Sequence, residues 1–263
     1  MKILFIGDVF GVLGREMIKE QLPQIKQQYQ PHIIIANGEN IAHGKGINQG
    51  YYKFLLSHGV SAVTLGNHAW DNRSIFDFID EADKLVRPGN FPETNPGKGL
   101  TFIKFNELEV AVIAVQGRTF MPTIGCPFLK IDELIAAAKK RTNIIVVDFH
   151  GEATSEKIAF GYYVDGRVSA CIGTHTHVPT ADERILAKGT AYLTDVGMTG
   201  PLDGVIGIKR DDVINKFIHN LPLRFHPIEE GAAQFNGVLI EVNEKTGAAT
   251  AIKRINLKKE ATL

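Results

Sequence analysis

The sequence predicts a layered α/β fold with a mixed sheet, arranged as a sandwich of two sheets flanked by helices. Apolar, β-rich runs alternate with amphipathic helical segments along the 263 residues. The runs are continuously apolar, as in strands that are covered on both faces. Their order mixes strand–helix–strand units with hairpins, which indicates a mixed sheet rather than a purely parallel one. Because neither a linker nor an internal repeat interrupts the pattern, we expect a single domain over residues 1–263.

The first third of the chain alternates regularly between the two kinds of element. Strands are predicted where apolar residues run without interruption, and helices where they recur every three or four residues. Pro23 falls inside the first helical segment, where it would bend the helix. In chain order, the predicted elements are strand 2–7, helix 15–29, strand 32–36, helix 51–58, strand 62–65 and helix 74–82.

The remainder of the chain contains two hairpins and three further strands. Asn106 lies between two β-rich runs, and asparagine tolerates the left-handed backbone of many turns. An amphipathic segment after this hairpin predicts a helix. In chain order, the predicted elements are hairpin strands 101–105 and 109–115, helix 132–140, strands 144–149, 168–172 and 191–194, and a closing hairpin of 237–242 and 249–255.

Composition excludes several classes of protein. The 29 Lys and Arg residues balance the 29 Asp and Glu residues, so strong nucleic-acid binding through phosphate neutralisation is not expected. A small anionic substrate remains compatible, because bound metal ions could supply positive charge locally. Cys126 and Cys171 are too few for a disulfide framework and predict reduced thiols in a cytoplasmic protein. The first apolar run is broken by Asp8, and no run approaches the roughly 20 apolar residues of a membrane span.

Five polar clusters follow predicted strands. In open α/β sheets the ligand site lies outside the carboxyl ends of the strands, so these clusters are expected to converge on one place. Any one of them alone is weak, since each also fits ordinary turn or helix-cap chemistry. Together they form an ordered set. The clusters are GDVFG at 7–11, NGEN at 37–40, GNHAWD at 66–71, DFHGE at 148–152 and GTHTH at 173–177.

The side chains in these clusters are suited to binding metal ions. Carboxylate and amide oxygens mixed with imidazole nitrogens favour manganese, iron, zinc or nickel over calcium. A carboxylate can bridge two ions, and paired ions about 3.5–4 Å apart are the usual device for in-line phosphoryl displacement. The residues alone therefore predict a di-metal phosphoesterase. The predicted ligands are Asp8, Glu39, Asn67, His150, His175 and His177.

His68 follows a predicted ligand and is given a different role. Adjacent side chains point apart in an extended segment, so Asn67 and His68 are not expected to bind the same ion. A protonated imidazole beside the site could instead act as general acid. Asp71 could orient it, although capping of the following helix is the expectation here. Arg15, Arg73 and Arg118 are candidates for phosphate contact. His32, His58, His219 and His226 are expected to be structural, and His43 is left open.

The order of the motifs resembles that of calcineurin-like metallophosphoesterases. The match is closer to one bacterial branch, the YmdB-like phosphodiesterases, and it includes GTHTHVPTAD and the downstream TDVGMTGP. The resemblance covers nearly the whole chain and implies a metallophosphoesterase-type sandwich of two mixed sheets. Two departures from the wider superfamily are shared by this branch. The D-x-H start is Asp8-Val9-Phe10 here, and the G-D-x-x-D motif appears as Gly38-Glu39-Asn40, which makes Asn40 the substitute for a lost histidine ligand.

The resemblance also implies a cofactor, a substrate and an assembly. The cofactor is a pair of divalent or trivalent transition-metal ions, with iron first and manganese or zinc as alternatives. The substrate is a small nucleotide, specifically a 2′,3′-cyclic one, attacked by a metal-activated hydroxide with His68 as proton donor. A homo-oligomer is expected. One ion would take Asp8, Glu39, Asn40 and His177, and the other Glu39, Asn67, His150 and His175.

Three alternative functions are also compatible with the sequence. A phosphomonoester or phosphoprotein phosphatase could use the same site, and activity ratios on monoesters and diesters would separate the two. A metal-dependent regulatory protein acting through partners is the second alternative. A metal-dependent amidohydrolase is the weakest, because its H-x-H pair usually comes on the first strand, whereas His175 and His177 come late.

Overall fold

The structure, a computed structural model, describes residues 1–261, so the last two residues of the predicted domain lie outside it. Over these residues, fourteen strands form two sheets and five α-helices cover them. The helices are α1 (Gly11–Tyr29), α2 (Gln49–Ser57), α3 (Pro127–Ala138), α4 (Thr154–Val164) and α5 (Arg210–His219). The strands are β1 (Lys2–Ile6), β2 (Asp8–Val9), β3 (Ile33–Asn37), β4 (Ala62–Thr64), β5 (Leu85–Val86), β6 (Leu100–Phe105), β7 (Leu108–Gln116), β8 (Ile145–His150), β9 (Ala170–Thr174), β10 (Arg184–Ile185), β11 (Ala191–Leu193), β12 (Met198–Pro201), β13 (Ala233–Val242) and β14 (Ala249–Lys259).

Both sheets are mixed, with a parallel centre. In the first sheet β1, β3, β4 and β5 run parallel, and β13 pairs antiparallel with β1 on one side and with β14 on the other. In the second sheet β7, β8, β9 and β11 run parallel between the antiparallel edge strands β6 and β10. The carboxyl ends of the parallel strands within each sheet therefore lie at one edge.

Side-chain alternation along the strands builds four layers. Leu4 on β1 packs into the core beneath α1, whereas its neighbours Ile3 and Phe5 face the second sheet. In the second sheet, Val112 faces inward and Ile113 packs in the outer core with α3. The result is a helix–sheet–sheet–helix sandwich, which confirms the predicted fold class.

The predicted helix over 74–82 is wrong. The structure has two short 3₁₀ helices there, Arg73–Asp77 and Ile79–Glu81. The Asn72 side chain accepts from the Ser74 N–H at 3.2 Å and starts the first of them. Phe78, with φ −146°, separates the two. Ile75 and Ile79, which lie in the two successive 3₁₀ helices, are both buried.

Two expectations based on composition can be compared with the structure. Both cysteines are free: Cys126 is half-buried before α3, and Cys171 is buried in β9, where burial raises the pKa of its thiol. Within the described part of the chain, no helix combines the length and the apolar character that crossing a membrane requires.

Candidate metal centre

The sheet edges bring the five polar clusters together. Asp8 follows β1, Glu39 follows β3, Asn67 follows β4, His150 ends β8, and His175 follows β9. These residues are far apart in sequence and come from both sheets. We call Asn67, His150 and His175 the His150 side of the centre, and Asp8, Asn40 and His177 the His177 side.

Donor atoms on the His150 side converge tightly. The Nε2 atom of His150 lies 2.9 Å from Asn67 Oδ1, 2.9 Å from Glu39 Oε1 and 3.0 Å from His175 Nδ1. Glu39, His150 and His175 each offer a ligand atom, and these atoms lie within 4.8 Å of one another. Gly66 makes the approach possible, because a Cβ at this position would lie 2.1 Å from the His150 ring.

Hydrogen bonding on the far side of His150 uses its Nδ1, which leaves Nε2 to bind a proton or a metal ion. The Thr174 hydroxyl donates to Asp148 at 2.6 Å, so it must accept from the Nδ1–H of His150, which is 2.8 Å away. His150 Nε2 then faces two oxygen acceptors. Because Glu39 Oε1 and Asn67 Oδ1 are both acceptors, either a proton on Nε2 or a metal ion must lie among these atoms. This arrangement therefore fits a bound metal ion.

Asp148 supports the His150 ring through Thr174, a role that the sequence analysis did not predict. Its buried carboxylate also accepts hydrogen bonds from the Thr64 hydroxyl and from Asn37 Nδ2, the latter at 3.1 Å. Burial raises its pKa, an effect opposed by His150 and by these hydrogen bonds. The spacing of Asp148 and His150 in the sequence could have indicated this role. Asp148 and His150 are two residues apart on one strand and so share a face.

Hydrogen bonds also determine which ring nitrogen of His177 faces the site. Nδ1 of His177 lies 3.0 Å from the Ile206 carbonyl and must donate a hydrogen bond to it. The lone pair of the ring is therefore on Nε2, which lies 3.3 Å from Asn40 Oδ1. The Asn40 amide nitrogen donates to the Gly44 carbonyl at 2.9 Å, which turns its oxygen toward His177. Asp8 is buried, and within residues 1–261 its Oδ1 has no hydrogen-bond partner.

Glu39 is almost fully buried and immediately precedes Asn40 of the His177 side. One oxygen meets His150, and the other accepts the backbone N–H of His68 at 3.1 Å. Burial opposes its ionisation, but His150 and the nearby histidines lower its pKa to about 2. Burial raises the pKa of Asp8 well above its usual value. Burial also works against a charged His150, but the Glu39 and Asp8 carboxylates raise its pKa to about 9. Two buried carboxyl groups, Asp8 and Glu39, could together bind a cation.

The two histidines of the GTHTH cluster lie on strained backbone. His175 has φ 99° and His177 has φ 65°, both in the left-handed region that non-glycine residues rarely adopt. Asp195 accepts the Thr176 N–H at 3.1 Å and forms a buried ion pair with Lys157 from α4. Lys157 also donates to the Thr174 carbonyl at 2.7 Å. This ion pair holds the loop in the conformation that turns both imidazoles into the site.

His68 lies at the rim, as predicted, and its partner is Asp71. Its Nδ1 lies 2.9 Å from the Asp71 carboxylate, and its side chain is 27% exposed. The expectation that Asp71 caps the following helix is therefore wrong, because the neighbouring Asn72 caps the 3₁₀ helix instead. The two adjacent residues have similar capping chemistry, and only the geometry separates their roles.

The remaining candidates lie in ordinary structural settings. Arg15 donates to the Ile41 carbonyl at 2.7 Å and stacks over Tyr51, whereas Arg73 and Arg118 are exposed. His32 accepts the Lys2 N–H at the start of β1, which is the opposite edge of the sheet. The other histidines outside the site are His43, exposed and 3.6 Å from Glu229, His58 at the end of α2, His219 at the end of α5, and His226 against Asp212.

Known proteins resemble this chain over nearly its whole length. The profile of the family described as YmdB-like protein matches residues 4–255. A 2′,3′-cyclic-nucleotide 2′-phosphodiesterase from Bacillus subtilis is 58% identical over 255 residues, 97% of this chain and 96% of the relative. A crystal structure of a phosphatase from Mycoplasma pneumoniae is 38% identical, with a TM-score of 0.93 over 99% of this chain and 94% of that one. A hypothetical protein from Thermus thermophilus, also 38% identical, has a TM-score of 0.92 over 98% of this chain and 100% of that one.

Proposed function

The chain belongs to the YmdB-like protein family and has a metallophosphoesterase-type fold, and from this premise we propose that it is a metal-dependent phosphodiesterase that hydrolyses 2′,3′-cyclic nucleotides. The observation that carries the proposal is the convergence of metal-binding atoms around His150 Nε2, with Asn67 Oδ1 and Glu39 Oε1 each 2.9 Å away. The choice of substrate is supported by the Bacillus subtilis relative, which is a 2′,3′-cyclic-nucleotide 2′-phosphodiesterase.

The two sides of the site would each hold one metal ion, with Glu39 shared between them. Bound ions would offset the charge of the phosphate and lower the pKa of the attacking water. Iron is the metal we propose, as the family resemblance implies; the mixed oxygen and imidazole ligands also suit manganese and zinc, which are the alternatives. One position comprises Asp8, Glu39, Asn40 and His177, and the other Glu39, Asn67, His150 and His175.

His68 is the proposed general acid. Its Nδ1 is engaged by Asp71 at 2.9 Å, so the orientation of the ring is fixed and Nε2 is the nitrogen left to donate. The sugar oxygen that leaves during ring opening is a poor leaving group, so a proton delivered to it accelerates the reaction. Glu39 accepts the backbone N–H of His68, which ties the rim to the metal centre.

Substrate preference and metal dependence can be tested together. Purified protein is assayed on 2′,3′-cyclic AMP, p-nitrophenyl phosphate and a phosphopeptide, with and without chelator. We expect the cyclic nucleotide to be hydrolysed fastest, chelator to abolish turnover, and 3′-AMP to be the product because the 2′ ester bond breaks. Faster turnover of the phosphopeptide would favour a phosphatase. A site-dead variant that keeps its cellular function would favour the regulatory alternative.

We also propose that the protein assembles with itself through α5. The helix buries only Val213, while a stripe of apolar side chains spaced three and four residues apart faces solvent. Such a stripe normally covers another surface. Exposed side chains in and after the helix are Ile214 (49%), Phe217 (83%), Ile218 (67%), Leu221 (59%), Leu223 (42%) and Phe225 (46%).

The charges of α5 favour a second copy of this chain as the partner that covers the apolar stripe. Acidic Asp211 lies at the start of the helix and basic Lys216 in its last turn. Two copies related by a twofold axis would bring α5 against α5 antiparallel, with opposite charges facing. Light scattering should report an oligomer that Phe217→Glu dissociates. Leu129→Glu, at an exposed site on α3, should leave the assembly intact. A monomeric wild-type protein would contradict the proposal.

A cytoplasmic location is the last part of the proposal. Free Cys126 and Cys171 are compatible with a reducing compartment. Thiol labelling of denatured protein taken directly from fractionated cells should find both thiols reduced in the cytoplasmic fraction. Recovery in an extracytoplasmic fraction would contradict it.

A further inference from the structure

Gln116 carries an unexplained buried oxygen. It is the last residue of β7 and is 1% exposed, yet its Oε1 has no hydrogen-bond partner within residues 1–261. A buried acceptor without a partner is destabilising and uncommon in folded proteins. The usual reasons for retaining one are a bound water, a bound ligand or a role in the reaction. Sequence reasoning gave Gln116 no role, because a single glutamine at a strand end has no recognisable motif.

Strand pairing places Gln116 beside the metal centre. Gln116 on β7 is the register partner of His150 on β8. Neighbouring residues of paired strands lie about 4.8 Å apart and project from the same face of the sheet. The alternation along β7 agrees, because Val112 and Ala114 face the same inner layer. The Gln116 carboxamide therefore lies next to the His150 imidazole, at the edge where the substrate must bind.

The protein holds the backbone of Gln116 while leaving its side chain free. Asn90 Oδ1 accepts the Gln116 N–H at 2.9 Å, and Asn90 Nδ2 donates to the Gln116 carbonyl at 2.7 Å. The same amide nitrogen donates to the Gly125 carbonyl at 2.9 Å. Asn90 is thus fully used in positioning the strand end and the loop that follows. None of these bonds uses the Gln116 carboxamide.

We propose that Gln116 binds the nucleoside part of the substrate, its Oε1 accepting a hydrogen bond from an O–H or N–H group. This proposal rests on the proposed cyclic-nucleotide function and deepens it. A cyclic phosphate diester is an anion with acceptor oxygens alone, so it cannot satisfy Oε1. The substrate groups that can do so are the 5′-hydroxyl of the ribose and the amino group of the base. Gln116 would therefore distinguish a nucleotide from a simple phosphodiester.

The test replaces Gln116 with methionine, which has nearly the same shape and no comparable acceptor. Removing an unpartnered buried oxygen should leave the melting temperature unchanged or raise it. The value of kcat/KM for 2′,3′-cyclic AMP should fall roughly tenfold, as for one lost hydrogen bond, mainly through KM. Turnover of bis(p-nitrophenyl) phosphate, which has no donor group, and the metal content should not change. Thr101→Val is the matched control, because its buried hydroxyl is bonded to the Asp83 carbonyl at 2.6 Å. It should lower the melting temperature and leave both activities unchanged.

Substrate analogues identify the donor. Wild-type protein should lose about as much activity on either the 5′-deoxy or the 6-deamino analogue of 2′,3′-cyclic AMP as Gln116→Met loses on the parent. Gln116→Met should hydrolyse that analogue and 2′,3′-cyclic AMP with the same kcat/KM. Equal losses on both kinds of diester, loss of metal, or a lower melting temperature in Gln116→Met would overturn the proposal. Wild-type protein that fails to hydrolyse 2′,3′-cyclic AMP would instead refute the underlying function, so the two failures are distinguishable.

Discussion

The two sides of the candidate metal centre are built in different ways. On the His150 side, the central imidazole ends a buried strand, and a chain through Thr174 to Asp148 fixes its ring from behind. On the His177 side, the imidazole belongs to a loop with left-handed backbone, and its Nδ1 is held by the carbonyl of Ile206, a residue 51% exposed. The sheet thus orients the central imidazole of one side and a loop orients that of the other, although His175 of the His150 side also lies on this loop.

This difference predicts unequal affinities for metal. A ligand whose orientation is fixed by strand pairing and buried hydrogen bonds needs little ordering when an ion binds. A ligand on a strained loop depends on the contacts that hold the loop, here the Lys157–Asp195 ion pair beneath it. We therefore expect the ion on the His150 side to bind more tightly. Substitutions on the two sides and at His68 on the rim should therefore differ in their effects on metal content and turnover.

The largest effect is expected for Glu39→Gln, because Glu39 is the ligand that both ions are proposed to share. An amide cannot bridge two cations as a carboxylate does, so metal occupancy should fall at both positions and turnover should drop to background. Elemental analysis and activity on 2′,3′-cyclic AMP provide the measurement. Glu183→Gln is the matched control, since this carboxylate pairs with Arg254 at 2.6 Å and contacts none of the proposed ligands. Retention of both ions by Glu39→Gln would refute its bridging role.

Asp148→Asn should damage one side and spare the other. The carboxylate accepts from Thr174, Thr64 and Asn37, and an amide cannot accept all three bonds with the same geometry. The His150 ring would lose its orientation, and changes in such supporting residues typically cost about 10–100-fold in metal affinity or activity. Metal content should fall from two ions toward one. An equal loss at both positions would mean that the two sides are not independent.

His68→Ala should leave both metal positions intact and slow the reaction. Loss of a general acid typically costs roughly 10²–10⁴-fold on a substrate with a poor leaving group. Bis(p-nitrophenyl) phosphate has a good leaving group that needs little protonation, so its rate should fall much less. His150→Ala is the comparison variant and should lower metal content and both rates. Equal losses on the two substrates in His68→Ala would assign His68 to positioning rather than proton transfer.

Asp71→Asn should give the smallest effect. The ring of His68 keeps a hydrogen-bond acceptor, but the negative charge beside it is removed. We expect a loss within the lower part of the roughly 10²–10⁴-fold range for general-acid catalysis, again greater on the cyclic nucleotide than on the nitrophenyl diester. A loss that is the same on both substrates would make Asp71 a structural residue, as would a lower melting temperature.

The sequence predicted which side chains meet, because buried parallel strands end at a common edge whatever the details of the loops. It also predicted the hairpin at Asn106, whose φ is 53°. The family resemblance is confirmed. The assignment of each ligand to an ion stays a prediction.

Elements that depend on distant contacts were missed. The short strands β2 and β12 pair with each other although most of the chain lies between them, which no local pattern reveals. The helix α5 was also not predicted, although its apolar side chains recur every three or four residues. The support of His150 by Asp148 depends on Thr174, which is 26 residues from that aspartate. Local sequence could not choose between Asp71 and Asn72 as the cap.

Stepwise metal reconstitution tests the two-sided centre most directly. Metal is added to chelator-treated protein while bound metal and turnover of 2′,3′-cyclic AMP are measured at each step. The proposed centre predicts two equivalents bound per chain, the first more tightly, with turnover rising only as the second binds. Full turnover with one equivalent, or in the presence of chelator, would contradict it.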